Sequence, residues 1–171
     1  QISPCIKATG PTAVVGRPIS TWGLAGVPGA GGFSSSLAGV ALSSADPGSL
    51  LRGNPVSGNS YHHSLSGGCN AAGQLMLIDR LWHNGGFTIT STSAQNITSP
   101  TWPARDGNGA TNGDGVLLAV EVSAATGAGT PTITISYTNQ AGTAGRTATN
   151  IDATAATSAI GSFFRIGLQA G

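Results

Sequence analysis

Residues 132–138 alternate without a break. Ile133, Ile135 and Tyr137 fall on one side, and Thr132, Thr134, Ser136 and Thr138 on the other. A period of two belongs to a strand with one buried and one wet face, and a helix cannot use it. The pattern recurs at 116–124, where Val116, Leu118, Val120 and Val122 share a face opposite Ala119, Glu121 and Ser123. It recurs at 162–168 through Phe164, Ile166 and Leu168. A weaker strand is expected at 146–151, and 153–159 reads as one helical turn or a loop.

Composition closes the helical alternative. The chain has one Lys, one Glu and one Met, against 27 Gly, and Ser, Thr and Ala dominate the rest. Short strands joined by small-residue turns are what such a chain can build. Charged residues make up 8% of it, and the formal net charge is +1. Its seven Lys and Arg are scattered singly, so no basic surface points to nucleic acid. No apolar run approaches the ~20 residues of a membrane span. Weak repulsion between copies favours association, which fits a protein working inside an assembly; a secreted β-domain with a Ser/Thr surface is the other reading. Cys5 and Cys69 lie far apart and outside any CxxC motif. They read as independent thiols, the alternative being a disulfide tying an arm to the domain edge. QISPCIKATG lacks the basic start and apolar block of a signal peptide. The initial Gln and the stop just past an apolar strand read as a processed or incomplete product.

Residues 1–60 differ in texture from 61–171. Pro11, Pro18, Pro28, Pro47 and Pro55 punctuate a Gly- and Ser-rich stretch that still carries Trp22, Leu24, Phe33, Leu37, Val40 and Leu42. A solvated linker would be poorer in apolar residues. The stretch reads as an extended arm docking on its own domain or on a neighbour, or as irregular strands of the same domain. In 61–171, residues 61–66 and 95–98 are short strand candidates. Residues 74–82, QLMLIDRLW, form the densest apolar run. With the His83-Asn84-Gly85-Gly86 turn and 87–91 they read as a core hairpin. The expected fold is all-β: an antiparallel β-sandwich, jelly-roll-like, with an extended N-terminal arm.

Candidate chemistry is thin. His62 and His63 are neighbours on a strand candidate and face apart, so they and His83 make a poor metal set. Asp106, Asn108, Asn112 and Asp114 imitate a calcium loop, but Ala110 and Leu117 occupy ligand positions of the EF-hand pattern. No GxSxG or phosphate loop is present. Glu121 has no second acid at recognisable spacing. No catalytic, metal-binding or cofactor-binding residue is assigned, and no enzymatic activity is expected. Asp79 and Arg80 face apart on a strand and each needs a partner, for which Arg146, Arg105, Glu121 and Asp152 are the candidates. Trp22, Phe33, Asp79, Arg80 and Arg146 are the expected interface residues. Trp22, Trp82 and Trp102 offer rings on which a sugar could stack.

The segments DRLWHN, WPARD, GATNGDGV and SYTNQAGTAGRT, within 77–147, resemble a type of structural protein of tailed bacteriophages. VPGAGG and GNPVSGNSYHH upstream are similar to the same proteins. The resemblance spans about three quarters of the chain. It implies a virion structural protein, of capsid decoration or cement type, at the capsid surface. The implied partners are the major capsid protein and copies of the chain itself, as a homo-oligomer such as a trimer, with no nucleic acid and no membrane. A tail, collar or fibre part, and a receptor- or glycan-binding module, are the alternatives. Relatives of this type run beyond the equivalent of Gly171.

Overall fold

The computed structural model describes residues 3–50, 56–58, 61, 63–68 and 72–169. Among them there is no helix, and every strand pairs antiparallel. β1 (Ile6–Lys7) pairs with β2 (Gly26–Val27), and β3 (Val40–Ala41) with β4 (Trp82–His83). β5 (Leu118–Glu121) pairs with β8 (Phe163–Ile166), and β6 (Thr134–Tyr137) with β7 (Arg146–Thr149). An Asn150–Ile166 bridge carries the pairing from the end of β7 to β8, so β5, β8, β7 and β6 follow one another in space. The all-β, antiparallel expectation therefore holds at the level of small sheets.

β6 folds as its period dictates, whereas in the other alternating segments Leu168 is exposed and the Glu121 side chain is nearly buried. Along β6 the threonine and serine side face solvent, while Ile135 and Tyr137 are half-buried. Val122, Phe164, Ile166 and Ala148 are buried where β5, β8 and β7 meet. Asp152 locks the end of this unit. Its carboxylate accepts the Arg165 backbone N–H at 2.8 Å and two guanidinium N–H groups at 2.9 and 2.7 Å. Those bonds hold the Asp152 carboxyl below its ordinary value, the Arg165 side chain contributing most.

The arm docks on its own chain. Ile19 bridges Ser162, the Phe163 N–H donates to the Pro18 carbonyl, and the Ser20 N–H donates to the Gly161 carbonyl. Further on, β3 seats against β4, and Leu42 and Leu81 are buried beside it. Within the arm, Lys7 Nζ donates to the carbonyls of Leu24, Pro28 and Gly29, closing the β1–β2 loop.

The core hairpin expected at 74–91 does not form. Of residues 74–82, only Trp82 enters a strand, and its partner is the arm. At the turn His83-Asn84-Gly85-Gly86 the Asn84 side-chain amide and the Gly85 N–H are spent on other segments. Asn84 Nδ2 donates to the carbonyls of Leu37 (2.7 Å) and Thr98 (2.9 Å), and the Gly85 N–H donates to the Ser36 carbonyl. The arm thus occupies the edge a returning strand would need. Phe87 and Ile89, in the stretch expected to return as the hairpin's second strand, are exposed. Residues 61–66 form no strand at their described positions, and neither do 95–98. Instead the Gln95 side chain imitates a strand, accepting the Thr88 N–H and donating to the Thr88 carbonyl. Cys5 is a free, exposed thiol; Cys69, and with it any pairing of the two, lies outside the described residues.

The surface is large for the mass. The chain exposes 11464 Å², whereas a compact monomer of 16.8 kDa exposes about 7,700 Å². Apolar side chains contribute to it: Leu75, Met76, Leu77 and Ile78 are 66%, 70%, 45% and 56% exposed.

The arm's seat makes a specific demand on Gly85. A Cβ there would collide with the Ser34 carbonyl oxygen, a backbone atom that cannot swing aside, whereas a Cβ on Gly29 would meet open space. Gly85→Ala is expected to cost about 1–3 kcal/mol and Gly29→Ala to stay within about 0.5 kcal/mol of wild type, as read from urea denaturation midpoints.

Candidate functional site

The densest group of chemistry-bearing side chains is where arm, β4 and β5 meet. Arg80, just before β4, places its guanidinium 4.7 Å from the centre of the Trp22 ring and forms an ion pair with Glu121 at the end of β5. Trp22 is fixed independently. Its indole N–H donates to the Gly32 carbonyl at 2.9 Å, and it meets His83 edge-to-face at 6.4 Å. The glycine-rich arm is what admits the ring, because a Cβ on Gly31 would occupy the position of the indole. Phe33 packs over Gly23 in the same region. Trp22, Phe33, Leu42, Asp46, Pro47 and His83 line a groove of about 280 Å³.

The neighbours Asp79 and Arg80 divide as residues on an extended chain should. Asp79 is turned outward and receives a two-pronged contact from Arg105, at 2.9 and 3.1 Å; Arg105 also donates to the Leu42 carbonyl at 3.0 Å. Arg80 turns inward to Glu121. Two of the four partner candidates are therefore in use, Arg105 for Asp79 and Glu121 for Arg80. Asp152 is engaged with Arg165 instead. Arg146 lies on β7 opposite Tyr137, and among the described residues its buried Nε finds no hydrogen-bond partner. So the structure brings Trp22, Phe33 and Arg80 together, puts Asp79 beside them, and leaves Arg146 elsewhere. His83, weighed in the sequence only as a poor metal ligand, and Asp46, which carried no sequence signal, belong to the same cluster, because the β3–β4 register brings them there.

His83 is held neutral. Burial, then the charge of Arg80, push its imidazole below the ordinary 6.5, against smaller opposing pulls from Glu121 and Asp46. Among the described residues its buried Nδ1 has no hydrogen-bond partner, and neither has Glu121 Oε1. Glu121 accepts through one carboxylate oxygen only, which is an expensive way to bury a charge unless geometry is the purpose.

The loop that imitates a calcium site has another use for its acid. Asp106 accepts the backbone N–H groups of Asn108 (3.0 Å), Ala110 (2.7 Å), Asn112 (2.9 Å) and Gly113 (3.1 Å). Its oxygens face donors, so its lone pairs brace the loop rather than point at a cation. Those donors, Ala110 foremost, hold its pKa below the ordinary value of 3.8. Asp114 is bonded by the side-chain amides of Asn108 and Gln140. Among the described residues no three His, Cys, Asp or Glu side chains converge on a metal position, and no helix is long and apolar enough to cross a membrane.

The three tryptophans are engaged within the chain. Trp22 lies under Arg80, while Trp82 and Trp102 meet edge-to-face at 6.2 Å. No protein-family model, no curated protein and no solved structure matches the chain.

Two outcomes follow from this geometry. Arg80→Ala strands a carboxylate that is 8% exposed and should cost about 2–3 kcal/mol, while Arg80→Met combined with Glu121→Leu should recover most of that loss; chemical denaturation of the single and double variants measures it. For His83, a folded pKa below the unfolded one means the unfolded chain binds more protons between the two values. Its stabilising share is whole above about pH 6.5 and is lost as pH falls through that window. His83→Gln should flatten the slope of stability against pH just below 6.5 and leave the steeper acid limb near pH 4 and below, where Asp106 and Asp152 take up protons, in place.

Proposed function

We propose that this chain is a virion structural protein of a tailed bacteriophage, a decoration or cement protein that binds and stabilises the capsid shell. Its partners in this reading are the major capsid protein and further copies of itself. The observation that carries the proposal is the surface a single copy leaves open. The chain exposes far more area than a compact monomer of its mass, and runs of apolar residues contribute to it. A protein whose burial is completed by neighbours has that profile.

The phage assignment itself comes from the DRLWHN, WPARD, GATNGDGV and SYTNQAGTAGRT segments and their likeness to phage structural proteins. The physical character agrees with it. A lattice of identical sites holds a ligand by many weak contacts at once, so each contact can be modest. Low charge removes the repulsion that would oppose crowding of copies. The small antiparallel sheets offer strand edges for main-chain bonding to neighbours. In this reading the jelly-roll-like sandwich is the form the sheets complete when packed in the shell. The glycan-binding alternative draws less support, since Trp22, the indole nearest the groove, already stacks on Arg80.

Quantitative mass spectrometry of purified particles tests the proposal. A decoration or cement protein should be present in copy numbers comparable to those of the shell's symmetry-related sites, and cryo-electron microscopy should place it on the capsid exterior. A handful of copies, or density confined to the tail, would reject it in favour of a tail, collar or fibre part.

A further inference from the structure

The seam between the arm and residues 157–162 is not filled. A cavity of about 240 Å³ lies along it. Val14, Ile19 and Ala159 give it apolar walls, and Arg17, Thr157 and Ser162 supply polar lining. Two of those polar groups lack partners. The half-buried Arg17 side chain forms no ion pair and no hydrogen bond among the described residues, and its Nε is buried in that state. Ser162 is 2% exposed. Its main chain is used by Ala159 and Val122, but its hydroxyl makes no hydrogen bond among the described residues.

The chain has no acidic side chain to spare for Arg17. It carries six Asp and Glu residues, and all are engaged with other groups. Asp46 holds Ser43, Asp79 holds Arg105, Glu121 holds Arg80 and Asp152 holds Arg165. Asp106 and Asp114 are bonded within their own loop. A guanidinium partly withdrawn from water with no counter-charge is unfavourable, and a buried hydroxyl without a partner adds to the cost.

We infer that this cavity is a binding site for a carboxylate carried on a short apolar stem, held by the Arg17 guanidinium and the Ser162 hydroxyl. The inference goes beyond the capsid reading and does not depend on it. The planar fork of a guanidinium matches both oxygens of a carboxylate, and a serine hydroxyl can donate to the same group. One positive charge balances a monoanion and leaves a phosphate dianion uncompensated. The apolar walls take the stem. Because the lining comes from both 11–19 and 157–162, a bound acid also ties the arm to its seat.

Titration of the full chain at constant ionic strength, followed by the Nε–H resonance of Arg17 and by hydrogen exchange, is the test. The probes are butyrate, N-acetylglutamate amide, uncharged butyramide and inorganic phosphate. A carboxylate should shift the resonance saturably, with a Kd of about 1 mM or below. It should also slow exchange of the Ser20 and Phe163 amides, which bond across the seam. Saturation by butyrate upholds the site with a free acid as its source, and saturation by the capped glutamate alone upholds it with an acidic side chain as its source. Arg17→Gln should keep the wild-type urea midpoint, since the side chain it replaces holds nothing within the described residues. Read from the Ser20 and Phe163 amides, it should weaken binding at least about tenfold, and Ser162→Ala about threefold. Ser162→Ala decides the matter if Arg17→Gln does not fold. No saturable shift with either acid, butyramide or phosphate binding as tightly, or binding undiminished in the variants overturns the inference.

Discussion

The guanidinium of Arg80 is the point on which the fold hangs together. It comes from the segment leading into β4, lies on the face of Trp22 from the arm, and pairs with Glu121 at the end of β5. Three stretches that share no long strand are thereby held at fixed distances. Such a contact is a weak source of net stability, because the ions lose water on entering it. It is a strong source of position. The planar cation accepts an aromatic face on one side and a carboxylate in its plane, and few other arrangements satisfy both. With six buried apolar side chains among the described residues, the fold cannot rely on core shape alone to align the arm with the sheets. Directional polar contacts do that instead: Asn84 across Leu37 and Thr98, Asp152 on Arg165, and Asp106 inside its own loop.

How much of this was legible in the residues depended on periodicity. The strands around 134–137, 146–149 and 163–166 were readable because exposure alternates along each, and a two-residue period records that asymmetry directly; 118–121 carries the same period in its residues although all four are half-buried. The run at 74–82 was not, because a stretch apolar on both sides looks the same whether it lies inside a sheet or waits for a neighbour. What decides between those is the supply of main-chain partners, and that supply was diverted by Asn84 and Gly85 toward the arm. No pattern in 74–82 itself encodes the diversion.

The charged residues were easier to place than the apolar ones. In a chain with only thirteen formally charged Lys, Arg, Asp and Glu side chains, each buried ion has a short list of partners. Arg105 and Glu121 were on the list for Asp79 and Arg80. Arg146 was misplaced within that reasoning, since it lies on β7, away from the cluster. The groove beside Trp22 was beyond sequence reasoning, because it exists only once Val40 is opposite His83, a register spanning more than forty residues of chain.

The contact between Ile19 and Ser162 has a consequence in time. Its two halves are separated by most of the polypeptide, so on a ribosome the seat for the arm is synthesised long after the arm has emerged. Until β8 is made, the Pro18–Ser20 stretch lacks the 161–163 backbone it docks on, and its exposure is set by the rate of translation rather than by the stability of the fold. Closing a loop of that size is slow relative to local turn formation. The arm thus appears well before its seat and is among the last segments to find its place, and in a producing cell it is a segment on which nascent-chain chaperones would act.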